Sequence, residues 1–344
     1  MTIEESTVPA STRTAEPKRK RGGSPLLHTA ERYALLGLTV VIALFFSVWP
    51  GSSSTFPTMA NLNVVTGSQA VVALIALAAL FPLVSGYFDF SLGAIAATSS
   101  VLCAGLMSHN RLPLGVAAVA AIALGAACGA VNGLLVTRAR LNAFVTTLGS
   151  ATLLGGAIQW YTGGATILEG ISPVLTRFGS AQFLGLPRVV YVVVVVMLVL
   201  WYVLTHTPYG RALYAIGSNA RSARLVGLRV DRDVFIGFVI SGTIAGVAGV
   251  LQLARTGSAT ADSGSSLLFA ALAAVFLGAT AVNPGLFNVF GTMIGVLFVS
   301  ASVSGLTLAG ASNWAQPVFN GAALLAAVGL STYLGHRRGA AATS

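Results

Sequence analysis

The chain consists of long apolar segments separated by short polar or glycine- and proline-containing breaks. About ten segments approach the roughly 20 apolar residues that a helix needs to cross a bilayer. Apolar runs such as residues 71–80 and 189–200 are continuous and do not alternate, which favours helices over the strands of a membrane β-barrel. The pattern predicts an all-α membrane protein, a polytopic bundle of about ten transmembrane helices, near residues 33–50, 67–85, 91–107, 114–136, 143–161, 188–205, 233–253, 267–282, 286–304 and 315–334.

Residues 55–66 fit this pattern less well. The stretch is moderately apolar but contains Pro57, Asn61 and Asn63. We therefore predict an interfacial or re-entrant piece there, outside the second span.

The composition supports a membrane location. Only 8% of the residues are charged, against about 25% in a soluble domain, while 55% are hydrophobic. The mean hydropathy is +0.84 and the isoelectric point is near 10.3. Because so few charges remain outside the first 32 residues, we interpret the basic balance as a feature of membrane topology and expect membrane lipid, and no nucleic acid, as a partner.

The positions of Lys and Arg predict the orientation, since these residues are retained on the cytoplasmic side. With ten spans and an internal N-terminus, fifteen of the nineteen Lys and Arg residues fall inside and four outside. Both termini are then cytoplasmic. We expect residues 1–32 to be a disordered basic tail, 33–334 the transmembrane domain and 335–344 a C-terminal cytoplasmic tail.

The chain lacks the usual sources of catalysis or coupling energy. Its only lysines, Lys18 and Lys20, are not part of a phosphate-binding loop, so the chain is not itself a P-loop ATPase. Asp89 lies in the connection between the second and third spans, and the interiors of the predicted spans contain no acid, which argues against a proton- or cation-coupled carrier. No serine nucleophile motif or metal-ligand spacing is present. We expect a protein that is not an enzyme and holds no metal.

Glycines at four-residue spacing predict close helix packing. Gly125, Gly129 and Gly133 lie on one face of the fourth span, and Gly242 and Gly246 repeat the spacing in the seventh. We interpret these positions as packing within one subunit, with a subunit interface as the alternative.

The connection 206–232 is the most informative polar stretch. Pro208 can begin a short helix whose apolar side includes Leu213 and Ile216. Residues 220–225 can form a second helix, with Arg221 and Arg224 three residues apart. Retention of positive charge on a surface loop would explain the arginines but not two helix signals. We therefore predict a docking element for a cytoplasmic partner.

This connection resembles a signature of the permease subunits of ribose-type sugar ATP-binding cassette (ABC) importers, a group related to the branched-chain amino-acid permeases. The family pattern is Gly-Arg-x-(Ile/Leu)-Tyr-Ala-(Ile/Val)-Gly-Gly-Asn-x-x-Ala-Ala-x-x-x-Gly, and Ser218 and Ser222 depart from it. The resemblance implies coupling helices that contact an ATPase subunit. The residues carried over to that contact are Gly210, Arg211, Tyr214, Gly217, Asn219 and Gly227.

Other segments extend the resemblance over most of residues 60–334. Residues 86–93 are similar to the family's Gly-Gly-Ile-Asp-Leu-Ser-(Val/Leu)-Gly, and residues 132–136 and 144–149 to its next block. Leu268, where the family often has Glu, is a departure. Polar side chains in or beside spans are the candidates for the translocation path, namely Asp89, Ser91, Asn132, Thr146 and Thr147. For Asp89 and Ser91 we favour capping of the third span, and interhelical hydrogen bonds explain the other three equally well.

The resemblance implies a permease subunit that moves a monosaccharide, a pentose, hexose or related polyol, across the bacterial cytoplasmic membrane. Its implied partners are a cytoplasmic ATPase that binds ATP and Mg²⁺, an extracytoplasmic sugar-binding protein and a second copy of the chain. The alternatives are a permease of the same architecture for branched-chain amino acids or nucleosides, and a stand-alone secondary carrier.

Overall fold

The computed structural model describes the backbone of residues 25–261 and 263–342, and the side chains of residues 32–261 and 264–329. Within these ranges the chain forms thirteen helices and one two-stranded antiparallel hairpin. The elements are α1 (Pro25–Val48), α2 (Met59–Val84), α3 (Leu92–Ser108), α4 (Leu114–Thr137), α5 (Ala143–Thr162), α6 (Pro173–Ser180), β1 (Gln182–Phe183), β2 (Leu186–Pro187), α7 (Arg188–His206), α8 (Pro208–Ser218), α9 (Ala220–Leu225), α10 (Val230–Thr256), α11 (Ser263–Gly278), α12 (Val289–Leu308) and α13 (Ala315–Ala342).

A helix overlaps each of the ten predicted segments, and the predicted helical membrane architecture is confirmed in its main feature. Within the described residues, α2, α4, α7, α10 and α12 are long and apolar enough to cross a bilayer. Shorter apolar helices occupy Arg32–Val48, Leu92–Ser108, Gly264–Gly278 and Ala315–Gly329. The hairpin β1–β2 is an addition that the sequence pattern did not predict.

The prediction for residues 55–66 was wrong, because α2 begins at Met59 and continues through this stretch to Val84. Thr58 caps the helix by accepting a hydrogen bond from the backbone N–H of Asn61 at 3.2 Å. The Asn61 side-chain amide donates to the carbonyl of Phe56 at 2.9 Å. Pro57 therefore precedes the helix start, and Asn61 stabilises the turn before the helix without interrupting it.

The predicted tail boundaries also differ from the helix ends. Helix α1 begins at Pro25 and α13 continues to Ala342, so residues 25–32 and 335–342 are helical. The rest of the predicted N-terminal tail, residues 1–24, lies outside the described part of the chain.

The core of the bundle is built on α2 and α10. Every residue of α2 from 70 to 84 is buried, which explains its apolar character on all sides. Helix α10 packs against α4 through glycines: a Cβ at Gly125 would lie 2.5 Å from the carbonyl oxygen of Gly242, and one at Gly129 would overlap the carbonyl of Phe238. The predicted packing of these glycines within one subunit is confirmed.

Candidate functional site

The connection between α7 and α10 forms the two predicted short helices. Thr207 caps α8 by accepting a hydrogen bond from Gly210 N at 3.2 Å, and Pro208 occupies the first turn. Asn219 separates the two helices and caps α9, because its Oδ1 accepts from Ser222 N at 3.0 Å. Both helix starts are therefore determined by local side-chain to backbone hydrogen bonds.

Helix α8 packs inward against the bundle. Gly210, Ala212, Leu213 and Ile216 are buried. A Cβ at Gly210 would overlap the carbonyl oxygens of α7's last turns, and one at Gly217 would overlap the carbonyl oxygen of Val84 at the end of α2. The two glycines allow α8 to lie against the backbone of α7 and α2.

Two tyrosines attach α8 to neighbouring elements. The Tyr214 hydroxyl donates to the carbonyl of Phe287, in the connection before α12, at 2.7 Å. The Tyr209 hydroxyl donates to the carbonyl of Asp233, in the first turn of α10, at 3.0 Å. Burial raises the pKa of both phenols, and the negative charge of Asp233 adds to the rise for Tyr209. Both hydroxyls therefore stay protonated and act as donors.

Helix α9 and the residues after it face outward. Leu225 is 84% exposed and Val226 is 77% exposed. Arg221 is also exposed, and Arg224 forms a surface ion pair with Asp231 at 2.7 Å. Gly227 follows with a φ of 87°, a left-handed conformation that favours glycine. Sequence reasoning missed Leu225 and Val226, although an apolar pair next to the arginines of a polar loop was a readable signal.

The six residues that the resemblance carried over divide into two groups. Arg211, Asn219 and Gly227 are exposed, and the Arg211 guanidinium is 3.4 Å from the carbonyl of His206. Gly210, Tyr214 and Gly217 contact the bundle itself. The first group belongs to the surface of the loop, and the second positions α8.

A buried polar network joins the start of α3 to α4 and α5. Asp89 Oδ1 accepts hydrogen bonds from the Ser91 backbone N at 2.9 Å and from Ser91 Oγ at 2.5 Å. Asn132 Nδ2 donates to Ser91 Oγ at 2.8 Å, and Ser150 Oγ donates to Asn132 Oδ1 at 2.5 Å. The structure thus brings together three of the candidates for the path, and adds Ser150.

The two threonine candidates lie beside this network on α5. Thr147 Oγ1 accepts a hydrogen bond from Phe90 N at 3.0 Å and donates to the carbonyl of Ala143 at 2.8 Å. Thr146 is buried, and within the described residues neither Thr146 Oγ1 nor Asp89 Oδ2 has a hydrogen-bond partner. Two polar oxygens therefore remain available next to the network.

The predicted capping role of Asp89 and Ser91 was wrong. Ser91 occupies the N-cap position of α3, but its side chain makes no hydrogen bond to the first turn. Its hydroxyl instead connects Asp89 to Asn132. The long-range hydrogen bond to α4 replaces the local one that the sequence suggested.

The described residues contain no group of three or more His, Cys, Asp or Glu side chains that could hold a metal ion.

Comparison with known proteins identifies the family. The family described as "Branched-chain amino acid transport system / permease component" matches residues 61–328. The chain belongs to this permease family. The "Ribose import permease protein RbsC" of Escherichia coli (strain K12) is 34% identical over 301 residues, covering 87% of this chain and 92% of the relative. No solved structure matches the chain.

Two further relatives extend the comparison. The "Ribose import permease protein RbsC" of Bacillus subtilis (strain 168) is 34% identical over 298 residues, covering 85% of this chain and 90% of the relative. The "D-allose transport system permease protein AlsC" of Escherichia coli (strain K12) is 32% identical over 293 residues, covering 85% and 89% respectively.

The predicted family is confirmed. The permease is a transport subunit of the ABC importer class and not an enzyme, because the ATPase of such importers is a separate subunit. It is a multi-pass protein of the bacterial cytoplasmic membrane, in agreement with its apolar helices.

Proposed function

We propose that this permease is the membrane subunit of an importer that moves a monosaccharide, a pentose, hexose or related polyol, into the bacterial cell. ATP hydrolysis in a partner subunit drives the transport. The observation that carries the proposal is the 34% identity over 301 residues to a ribose import permease. An extracytoplasmic sugar-binding protein delivers the solute, and two copies of the permease enclose the path between them.

The ten helices that overlap the predicted spans all cross the membrane in this proposal, and both termini are cytoplasmic. Contacts between the connections support a path in which successive connections lie on alternate sides of the membrane. At one end, Gly217 lies against the end of α2 and Tyr214 bonds to the α11–α12 connection. At the other end, Ile167 pairs with Ala259 and His109 Nδ1 lies 3.1 Å from the Tyr161 hydroxyl. These contacts agree with a ten-span path that has an internal N-terminus.

The connection 206–232 is the coupling loop of this permease. Its cytoplasmic side presents Leu225 and Val226 beside the exposed Arg211 and Arg221. Exposed apolar side chains rimmed by charge are typical of a protein interface. The ATPase subunit, which binds ATP and Mg²⁺, contacts this surface, and its movement reaches the bundle through α8.

Reconstitution tests the function directly. The permease is placed in proteoliposomes with its ATPase and binding protein, and uptake of labelled D-ribose, D-allose and L-leucine is measured with and without ATP. We expect ATP-dependent uptake of at least one sugar and none of L-leucine. Uptake of L-leucine alone would favour the branched-chain amino-acid alternative that the family description suggests. Sugar uptake by the permease alone, without ATP, would make it a stand-alone carrier.

A further inference from the structure

A cavity of about 340 Å³ lies between α3, α5 and α11. Its lining on α5 extends from Leu148 to Ile158, which corresponds to about 15 Å of helix. Ala261, in the α10–α11 connection, lines the cavity toward the outer end, and Phe90, in the α2–α3 connection, lines it toward the end where α8 lies. The volume is at the lower limit of small-molecule pockets, about 300–1,000 Å³, and suits one small solute.

The lining defines the class of solute. None of the described residues that line the cavity carries a charge, and two hydroxyl groups, those of Thr152 and Ser265, stand among apolar and glycine positions. Thr152 Oγ1 donates to the carbonyl of Leu148 at 3.0 Å, so its lone pairs can accept a hydrogen bond. A solute with hydroxyl groups and an apolar face fits this lining.

The Phe90 ring forms the inner end of this cavity, and buried hydrogen bonds hold its backbone. Phe90 N donates to Thr147 Oγ1 at 3.0 Å, and the flanking Asp89 and Ser91 belong to the polar network. The ring packs edge-on against Phe144, with ring centroids 5.0 Å apart. An aromatic face of this kind can contact the C–H side of a sugar ring.

Aromatic contacts continue from Phe90 to α8. Phe88 lies between Phe90 and Phe276, with ring-centroid distances of 6.3 and 6.0 Å. Phe276 packs edge-on against Phe287 at 5.3 Å, and the carbonyl of Phe287 accepts the hydrogen bond of Tyr214. A series of neighbouring rings, together with the backbone carbonyl of Phe287, therefore connects α8 to the inner end of the cavity.

We propose that the open side of this cavity faces the path between the two copies and that the cavity is a transit site for a monosaccharide, with Thr152 and Ser265 as hydrogen-bonding groups and Phe90 as the ring on which the sugar rests and which closes the cytoplasmic side. This proposal rests on the proposed function. It adds the position of the sugar in the permease and the residue that closes the cytoplasmic side of the cavity. Movement of α8 displaces the Phe90 ring and releases the sugar inward.

The test uses two variants, each with a matched control elsewhere in the permease. Thr152→Val keeps the shape of the side chain and removes the hydroxyl, and its control is Thr176→Val on α6. Phe90→Ala removes the ring, and its control is Phe183→Ala in the exposed hairpin. Each complete importer is reconstituted, and both uptake and ATP hydrolysis are measured with labelled D-ribose and D-allose.

We expect Thr152→Val to lower the maximal uptake rate about fivefold, the equivalent of one hydrogen bond. The half-saturating sugar concentration should stay unchanged, because the binding protein captures the sugar. Phe90→Ala should allow sugar to leave preloaded liposomes severalfold faster without ATP. Both control variants should behave as the original permease.

The outcomes separate the two proposals. ATP-dependent sugar uptake by the original permease, together with unchanged uptake and efflux in Thr152→Val and Phe90→Ala, would overturn the transit site and leave the importer function intact. Absence of ATP-dependent uptake of both sugars by the original importer would overturn the function on which the site rests.

Discussion

Helices α8 and α9 are separated by one residue, Asn219, yet they contact different surroundings. Helix α8 lies on the backbone of α7 and α2 and donates hydrogen bonds to two neighbouring connections. Helix α9 buries only Ala223 and is followed by exposed apolar side chains. In our proposal, α8 attaches the coupling loop to the bundle, and α9 presents the loop to the ATPase.

The largest effect is expected where α8 touches α2. Gly217→Leu would force a side chain into the Val84 carbonyl and displace α8, at a cost of about 1–3 kcal/mol. Thermal unfolding followed by size-exclusion chromatography should show a lower transition temperature, and uptake should fall. The matched change Gly115→Leu, on α4 where a side chain meets open space, should alter neither. Equal effects of the two changes would argue against α8 as the attachment.

A change on α9 should separate docking from folding. Leu225→Asp places a charge on a side chain that is 84% exposed, so the permease should fold normally while losing its ATPase during purification. Leu184→Asp is the control, because Leu184 is 83% exposed in the hairpin at the opposite end of the bundle. Retention of the ATPase in Leu225→Asp would assign docking to another surface.

A smaller effect is expected from the link between α8 and the α11–α12 connection. Tyr214→Phe removes one hydrogen bond to the Phe287 carbonyl, worth about 0.5–1.5 kcal/mol. The number of sugar molecules imported per ATP hydrolysed should fall, while ATP hydrolysis itself continues. Tyr202→Phe, at an exposed position on α7, should leave this ratio unchanged. An unaltered ratio in Tyr214→Phe would show that the hydrogen bond does not contribute to coupling.

The smallest effect is expected from the ion pair between Arg224 and Asp231. Both side chains are about half exposed, at 48% and 50%, and such pairs contribute about 0–1 kcal/mol. Asp231→Asn should shift the unfolding temperature little, and high salt should remove what difference there is. A large loss of stability that persists in high salt would mean that α9 is attached to the bundle as firmly as α8.

Local signals explain what could be predicted of this loop. Thr207, Pro208 and Asn219 determine where α8 and α9 begin, and each acts through its own turn. The inward contacts of Tyr214 could not be read, since its partner Phe287 is 73 residues away. The same limit applies to Gly217, because its position in the sequence does not show that it lies against the backbone carbonyl of Val84.

In the buried polar network, too, the residues could be predicted from the sequence but their long-range contacts could not. Asp89, Ser91 and Asn132 could be predicted as candidates because polar groups inside apolar segments are costly to bury without partners. Their mutual hydrogen bonds depend on how α3, α4 and α5 pack. Ser150 was missed because a serine in an apolar helix usually bonds within its own helix, and only tertiary packing brings it to Asn132.

Cross-linking in native membranes tests the central claim, that the exposed surface of α9 contacts the ATPase. A photoreactive amino acid is placed at position 225 in one variant and at position 184 in another, and the cross-linked products are identified by mass spectrometry. We expect a product between position 225 and an ATPase subunit, and none from position 184. An intact importer in which position 225 yields no ATPase product, while position 184 does, would contradict it.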